Sequence, residues 1–154
     1  MNLFSSLDNF TRSVAGLIPE WSVAALVRLG VFFVFWNSVQ TKISGSSILG
    51  QKFKFWQVTD STFMLFEYEY AVPLIPPNVA AYLATFCEFF LSIGVLLGLL
   101  TRMSAAGLLT ITLVIQIFVY PNHWPEHLLW TSLLLYLIKY GPGSISVDAL
   151  LLRR

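Results

Sequence analysis

The sequence predicts an all-α integral membrane protein, a four-helix bundle with an N-terminal interfacial amphipathic helix and an outer cap segment. Of its 154 residues, 56% are hydrophobic and only 11% are charged, whereas about a quarter of the residues in soluble domains are charged. The mean hydropathy is +0.73. A soluble domain of this size could not hide so much apolar surface from water. The lipid bilayer is therefore the predicted partner of most of the surface.

Charge and cysteine content exclude several classes of protein. The formal net charge is only +1, so no strong positive field attracts nucleic acid, and nucleic-acid binding is not expected. Cys87 is the one cysteine of the chain, which excludes an intramolecular disulfide and a CxxC redox pair. We expect Cys87 to be a small side chain of the core.

The first 20 residues predict a helix on the membrane surface. Phe4, Leu7, Phe10 and Val14 recur at helical spacing with polar residues between them, as in amphipathic interfacial helices. Pro19 is expected to end this helix.

Four apolar stretches follow, each close to the roughly 20 residues that a helix needs to cross a bilayer. They cover about residues 21–39, 78–100, 103–120 and 124–140. Pro77 suits the first turn of the second stretch, Pro121 ends the third and Gly141 follows the fourth. The last three stretches are joined by very short links, which make them antiparallel neighbours. The chain is predicted to be a single domain, residues 1–154.

Residues 44–77 are too polar to span the bilayer and too aromatic for a free loop, so we expect them to cap one face. Four spans put both termini on one side, and the cations expected there are Arg12, Arg102, Lys139, Arg153 and Arg154. The other side carries Lys42, Lys52 and Lys54, offset by three acidic residues. The positive-inside rule then places both termini in the cytoplasm and the cap outside.

Two charges lie inside the predicted spans. Arg28 lies roughly 10 Å from the inner edge of the first span at 1.5 Å per residue, and Glu88 lies near the middle of the ~30 Å apolar core. Because a charge inside a membrane usually finds a partner, we expect Arg28 and Glu88 to form a buried ion pair. Such a pair would either fix the register of two helices or line a site for a ligand or a proton.

A second polar group gathers at the predicted outer face. Its members are Asn37, Gln40, Lys42, Gln116, His123, Glu126, His127 and, from the cap, Glu67, Tyr68, Glu69 and Tyr70. They would line a polar pocket under the cap, or else be the ordinary polar ends of membrane helices. His123 and His127 fit the H-x-x-E-H pattern of some zinc peptidases, but Pro125 would leave His123 outside the helix. No metal site is assigned, and the two histidines remain weak candidates for copper or zinc.

Gly94 and Gly98 form a G-x-x-x-G motif, which in membrane helices permits close packing. Packing within the bundle is the favoured interpretation, and a homodimer face is the alternative.

These features together resemble the DoxX family of small four-helix membrane proteins. The residues that carry the resemblance are Arg28-Leu29-Gly30, Lys42, Glu88, the run LLGLLTRMSAAGL from Leu96 to Leu108, and the ending Gly141-Pro142-Gly143 with Asp148. By this resemblance Arg28, Lys42, Glu88 and Asp148 are signature positions without an assigned role. LFEYEYAVPLIPP and YPNHWPEHLLW resemble a narrower subset of the family, which is associated with modified, copper-binding peptides and metal stress.

The resemblance implies a multi-pass protein of the bacterial cytoplasmic (inner) membrane. It links the chain to quinol oxidation, membrane oxidoreductase complexes and oxidative stress, with quinone or copper as the ligands to consider. We expect an accessory or ligand-binding component of a redox or metal-stress system, with a protein partner in a membrane redox or peptide-maturation system, rather than an enzyme. The alternatives are a quinone-linked oxidoreductase subunit and a small transporter or exporter of a metal or modified peptide.

Overall fold

The computed structural model describes residues 3–152 as a helical protein. Its helices are α1 Leu3–Ala15, α2 Glu20–Lys42, α3 Asp60–Met64, α4 Pro77–Leu97, α5 Thr101–Val114, α6 Trp124–Tyr140 and α7 Val147–Leu152. Two π-helical segments, Leu65–Tyr70 and Ile115–Val119, continue α3 and α5. Strands β1 Ser47–Ile48 and β2 Gln51–Lys52 form an antiparallel hairpin. The predicted all-α fold class is confirmed.

Within residues 3–152, three helical stretches are long and apolar enough to cross a bilayer. They are α2, α4 and α5 with its π-helical extension, with mean hydropathies of 1.6, 1.9 and 1.7. Helix α6 is shorter, with 17 residues, and it packs against α2 and α5 to complete the bundle. These residues therefore contain three candidate membrane spans, while the fourth crossing stays a prediction.

The helix ends differ from the predicted ones by a few residues. Helix α2 continues to Lys42 instead of ending near residue 39, so Lys42 lies in its last turn. Helix α4 stops at Leu97 because Gly98 adopts a left-handed conformation with φ of 68°, as glycines after helices commonly do. Helix α5 begins at Thr101, two residues before the predicted start.

We call the end of the bundle where α2 and α5 begin the inner end, and the opposite end the outer end. The inner half is a closely packed core of α2, α4, α5 and α6. Its fully buried members are Val31, Phe35, Val95, Ala105, Leu108, Leu134 and Leu137. A methyl group added at Gly94 would lie 2.6 Å from Ser104 Oγ, and one at Gly98 would lie 2.4 Å from Ser146 Cβ. The G-x-x-x-G motif therefore serves packing within the chain.

The N-terminal helix presents its apolar side chains to the surroundings of the bundle. Phe4 and Phe10 are 83% and 67% exposed, and Leu7 and Val14 are also exposed. Arg12 forms an ion pair with Asp8 on the polar side, at 2.8 Å. This amphipathic helix has the pattern of a segment lying in the membrane interface.

The outer cap is attached to the last turns of α2. The Trp36 indole N–H donates to Gln51 Oε1 at 2.6 Å, and Gln40 exchanges two hydrogen bonds with the backbone of Lys52, at 2.7 and 3.1 Å. Lys52 Nζ also donates to the Ile43 carbonyl at 2.8 Å. Because the last carbonyls of a helix have no partner within it, the lysine satisfies the end of α2 while it fixes the hairpin.

The inner end is held by a second set of contacts, which we call the inner clasp. The Asp148 carboxylate accepts from the backbone N–H groups of Leu100 and Thr101, at 2.8 and 3.0 Å, and from the Thr101 hydroxyl at 2.9 Å. The Asp148 N–H in turn donates to the Gly98 carbonyl at 2.8 Å. The signature aspartate thus caps α5 and docks the C-terminal segment onto the α4–α5 turn.

The tight contact at Gly98 predicts a strong effect of a single methyl group. Gly98→Ala would place a Cβ at a positive φ, which costs about 1–2 kcal/mol, and would drive it into Ser146, which adds about 1–3 kcal/mol of overpacking. Gly50→Ala is the matched control, because Gly50 also has a positive φ of 78° but nothing lies within 4 Å of an added Cβ. Thermal unfolding in detergent should show the larger loss for Gly98→Ala. Equal losses would contradict the proposed close packing.

The inner clasp predicts a contribution to stability that depends on pH. Burial opposes ionisation of Asp148, but the donations from Thr101 and Leu100, with the nearby Arg102 charge, outweigh it and lower the pKa below 3.8. A lowered folded pKa gives stability that is present above about pH 3.8 and is lost as the pH falls towards the folded value. Asp148→Asn should therefore be less stable than the wild type at pH 6, and the difference should shrink in acid. A constant difference in melting temperature across this range would contradict the ionised cap.

Candidate functional site

A buried ion pair joins α2 to α4 in the outer half of the bundle. Lys42 Nζ lies 2.6 Å from both carboxylate oxygens of Glu88 and donates to Ser38 Oγ at 2.9 Å. Lys42 is 7% exposed and Glu88 is 1% exposed. All three ammonium hydrogens therefore have an acceptor, which is the condition under which a buried charge pair is tolerated.

The predicted ion pair between Arg28 and Glu88 is wrong. Arg28 is 6% exposed, and its guanidinium donates to the Leu96 carbonyl at 3.0 Å and to the Ile145 carbonyl at 2.6 Å. It thus satisfies one carbonyl in the last turn of α4 and one in the C-terminal segment, and it forms part of the inner clasp. The reason is the position of Arg28 along the bundle axis. Arg28 contacts α4 at Leu96, which lies eight residues, or roughly 12 Å along the helix, from Glu88.

Local structure fixes the position of Lys42. Ser38 lies one helical turn before it, on the same face of α2. After the helix ends, the Lys42 carbonyl accepts from the Thr59 N–H at 2.9 Å and from the Thr62 hydroxyl at 3.2 Å. The start of α3 therefore holds the end of α2, and the lysine points at Glu88 from a rigid backbone.

A cavity of about 650 Å³ opens beside the ion pair. Its lining side chains come from α2, α4, α5, α6 and the π-helical part of the cap, and most of them are apolar. They include Val34, Phe35, Phe66, Leu83, Ala84, Cys87, Leu91, Ile111, Val114, Ile115 and Trp130, with Ser38, Lys42 and Glu88 as the polar group. Helices α4 and α5 are in close contact at Gly94 and Ser104 and enclose the cavity farther out.

The cavity reaches the surface of the protein. Leu83 of α4 and Thr110 of α5 line it and are also exposed, so its mouth includes the outward faces of these two helices. A second part of its lining lies at the outer end, where Tyr120, His123 and Glu126 contribute. A ligand could therefore contact both lipid and the outer aqueous boundary.

His127 and Gln116 form a second polar group against the cavity. Gln116 Nε2 donates to the Pro121 carbonyl at 2.8 Å, so its Oε1 accepts from His127 Nδ1 at 2.6 Å. The imidazole is 4% exposed and lies against Trp130, with ring centroids 5.0 Å apart. Nδ1 is therefore the donor of this hydrogen bond. The π-helical segment carries Gln116, and such segments are frequent at functional sites.

The two histidines do not make a convincing metal site. His123 precedes α6, as the position of Pro125 predicted. Its Nδ1 lies 3.7 Å from Glu126 Oε2. The two imidazole centroids are 6.2 Å apart, and His127 Nδ1 already bonds Gln116. Within residues 3–152, no group of three potential ligands (His, Cys, Asp or Glu) is placed to hold a metal. The donor set therefore does not fit copper or zinc.

The structure separates the predicted site residues into two groups. Lys42, Glu88, His123 and His127 line the outer cavity, and Gln116 supports it through His127. The second group, at the inner end, consists of Arg28, Gly141, Pro142, Gly143 and Asp148. There Gly143 approaches Ala24, since a Cβ on it would lie 2.8 Å from the Ala24 methyl group. Sequence reasoning missed Ser38, although its spacing of four residues from Lys42 was a usable signal.

The fold and site together define a small helical membrane protein with a lipophilic cavity and an ion pair in its wall. The family model DoxX matches residues 23–121, which is more than half of the chain. The chain belongs to the DoxX family, as the resemblance predicted. No curated protein and no solved structure gives a significant match.

The ion pair predicts strong coupling between its two residues. Lys42→Met or Glu88→Met alone leaves an unpaired buried charge and should destabilise the protein by about 3–5 kcal/mol. The double variant removes both charges with side chains of similar volume and should recover most of this loss. Unfolding in detergent, monitored by circular dichroism, measures the free energy of unfolding of the two single variants and the double variant. Additive losses in the double variant would contradict a coupled pair.

Proposed function

We propose that this DoxX protein is a ligand-binding component of a bacterial inner membrane, and that its cavity binds a lipophilic small molecule with a polar head group. The observation that carries the proposal is an apolar cavity of about 650 Å³ with the Lys42–Glu88 pair in its wall. Binding sites for small molecules are typically about 300–1,000 Å³, mostly apolar and supplied with a few fixed polar groups.

The ion pair favours a neutral head group. The Lys42 and Glu88 charges cancel, so an added net charge in this apolar site would be costly to desolvate. A ligand hydroxyl can donate to a remaining lone pair of Glu88, and a ligand carbonyl can take the place of Ser38 as the third acceptor of Lys42. The head group expected is therefore a hydroxyl, a carbonyl or both.

The charge pattern supports an orientation with the cavity in the outer half of the membrane. Arg12, Arg102 and Lys139 lie on segments at the inner end, and the positive-inside rule puts that end in the cytoplasm. Arg153 and Arg154, which the sequence assigns to the same side of the membrane, lie outside the described residues. Both termini are then cytoplasmic, and the cap with residues 44–77 faces outward.

A quinone-linked oxidoreductase subunit is the second candidate. Such a subunit requires a lipophilic cleft next to Glu88 that a quinone dissolved in the membrane can enter. The lining residues Leu83 and Thr110, exposed on α4 and α5, favour it. The transporter alternative has less support, because the packed inner core would have to open for a polar path.

The accessory role and its setting remain part of the proposal. A protein whose cavity holds a ligand beside a buried ion pair could present that ligand to a partner in a redox or metal-stress system. No catalytic residue is assigned to it.

The test is to identify what the protein retains when it is purified gently from its own membrane. Native mass spectrometry and solvent extraction should find a lipophilic molecule in the wild type. The double variant Ala84→Phe/Thr110→Phe, which enlarges one lining side chain on α4 and one on α5, should lose it. The matched control is Leu26→Phe/Leu135→Phe, at two exposed positions outside the lining, which should retain it.

Titration with decylubiquinone separates the two candidates. Saturable quenching of tryptophan fluorescence in the wild type that disappears in the Ala84→Phe/Thr110→Phe variant supports quinone binding, since Trp130 lines the cavity. A retained molecule of another class, with no saturable quenching, supports ligand binding alone. Equal retention and equal quenching in all three proteins would refute both.

A further inference from the structure

A second apolar space, a groove of about 440 Å³, lies between the cap and the exposed side of α4 at the outer end. We call it the aromatic groove. Part of its lining follows β2 in the cap, and the rest belongs to the first three turns of α4. The lining residues are Phe55, Trp56, Val79, Tyr82, Leu83 and Phe86. None of these side chains carries a charge, so the aromatic groove suits an apolar molecule.

Aromatic contacts fix the cap wall of the groove. Phe55 lies edge to face against Phe86 and Phe90 of α4, with ring centroids 5.7 and 4.9 Å apart. Trp56 lies edge to face against Phe55 at 5.0 Å, and it is exposed. Edge-to-face pairs of this kind stabilise a structure beyond the area that they bury. They therefore hold Trp56 beside α4 as the outer wall of the aromatic groove.

Leu83 lines both the aromatic groove and the cavity that contains Lys42 and Glu88. Successive residues of an α-helix are rotated by about 100° around its axis, so the α4 residues of the groove lie on one side of Leu83 and those of the cavity on the other. They are Val79, Tyr82 and Phe86 for the groove, and Ala80, Ala84 and Cys87 for the cavity. Leu83 is itself exposed. Its side chain therefore stands at the boundary between the two spaces.

The outer end of the cavity is a poorer entrance for a lipophilic molecule. Its lining there includes Tyr120, His123 and Glu126, and the last two are exposed and ionisable. An apolar molecule that entered at this end would first leave the bilayer for water, which is unfavourable. The aromatic groove instead borders α4, one of the candidate membrane spans, so such a molecule can reach it directly from lipid.

We propose that the aromatic groove is the entrance through which a lipophilic molecule passes from the bilayer into the cavity, and that the Leu83 side chain controls this passage. The inference rests on the proposed function, because the molecule is the one that the cavity binds. It first lies between Trp56 and α4, and then passes Leu83. Exposed side chains change rotamer rapidly, so the size of the side chain at position 83 sets the barrier.

Stopped-flow fluorescence with decylubiquinone tests the proposal on the whole protein in lipid nanodiscs. Quenching of Trp130 reports arrival in the cavity, and this phase is assigned by its loss in Trp130→Phe. Leu83→Phe enlarges the side chain at the boundary and should slow association and dissociation by about tenfold each. The Kd should change by less than about twofold, because a barrier on the path affects both directions. Leu83→Ala should speed both steps.

The matched control is Leu97→Phe, the same substitution at an exposed position of α4 outside both linings. It should leave both rates unchanged. Trp56→Ala removes the outer wall of the aromatic groove and should slow association. Circular dichroism of each variant confirms that the compared proteins are folded.

The outcomes separate this inference from the proposed function. Saturable quenching whose rates are unchanged in Leu83→Phe or in Trp56→Ala would show that the ligand enters elsewhere, and would overturn the entrance while ligand binding stands. A Leu83→Phe variant that changes only the Kd would also overturn it, since Leu83 would then be a contact in the cavity alone. The absence of saturable quenching in the wild type would overturn this inference together with binding of the probe.

Discussion

The outer half of this protein depends on one interaction, the buried ion pair between Lys42 and Glu88. Removing two charges from water is costly, and the cost is offset only when the partners meet in close geometry with their remaining hydrogen-bonding capacity used. Here the ammonium meets both carboxylate oxygens and Ser38. The pair therefore ties α2 to α4, and it forms because α2 extends as far as Lys42.

The bundle has two halves with different physical properties. In the inner half, glycine and serine allow α4 and α5 to approach closely, and the core is filled by aliphatic side chains. In the outer half the helices leave a cavity, π-helical turns replace regular helix and the cap supplies part of the wall. The inner half is therefore closely packed, and the outer half contains the cavity.

The signature residues of the family serve two purposes in this chain. Arg28 and Asp148 satisfy backbone groups at the ends of α4 and α5, so their polarity is used by the fold. Lys42 and Glu88 satisfy each other in the wall of a cavity, which is why the proposed ligand site is placed there. This difference directs functional experiments to the outer pair and stability experiments to the inner clasp.

The sequence by itself determined the membrane class, the approximate helices and most of their ends, because hydropathy, proline and glycine act locally. It also predicted the amphipathic helix at the N-terminus. The partner of Glu88 was decided only by the tertiary structure. Depth along a helix, counted in residues, does not give the axial offset or the rotation between two helices. Lys42 lies among the three residues by which α2 extends past the predicted end of the first span. The cavity likewise depends on the relative positions of four helices and the cap. The sequence of one segment does not determine these positions.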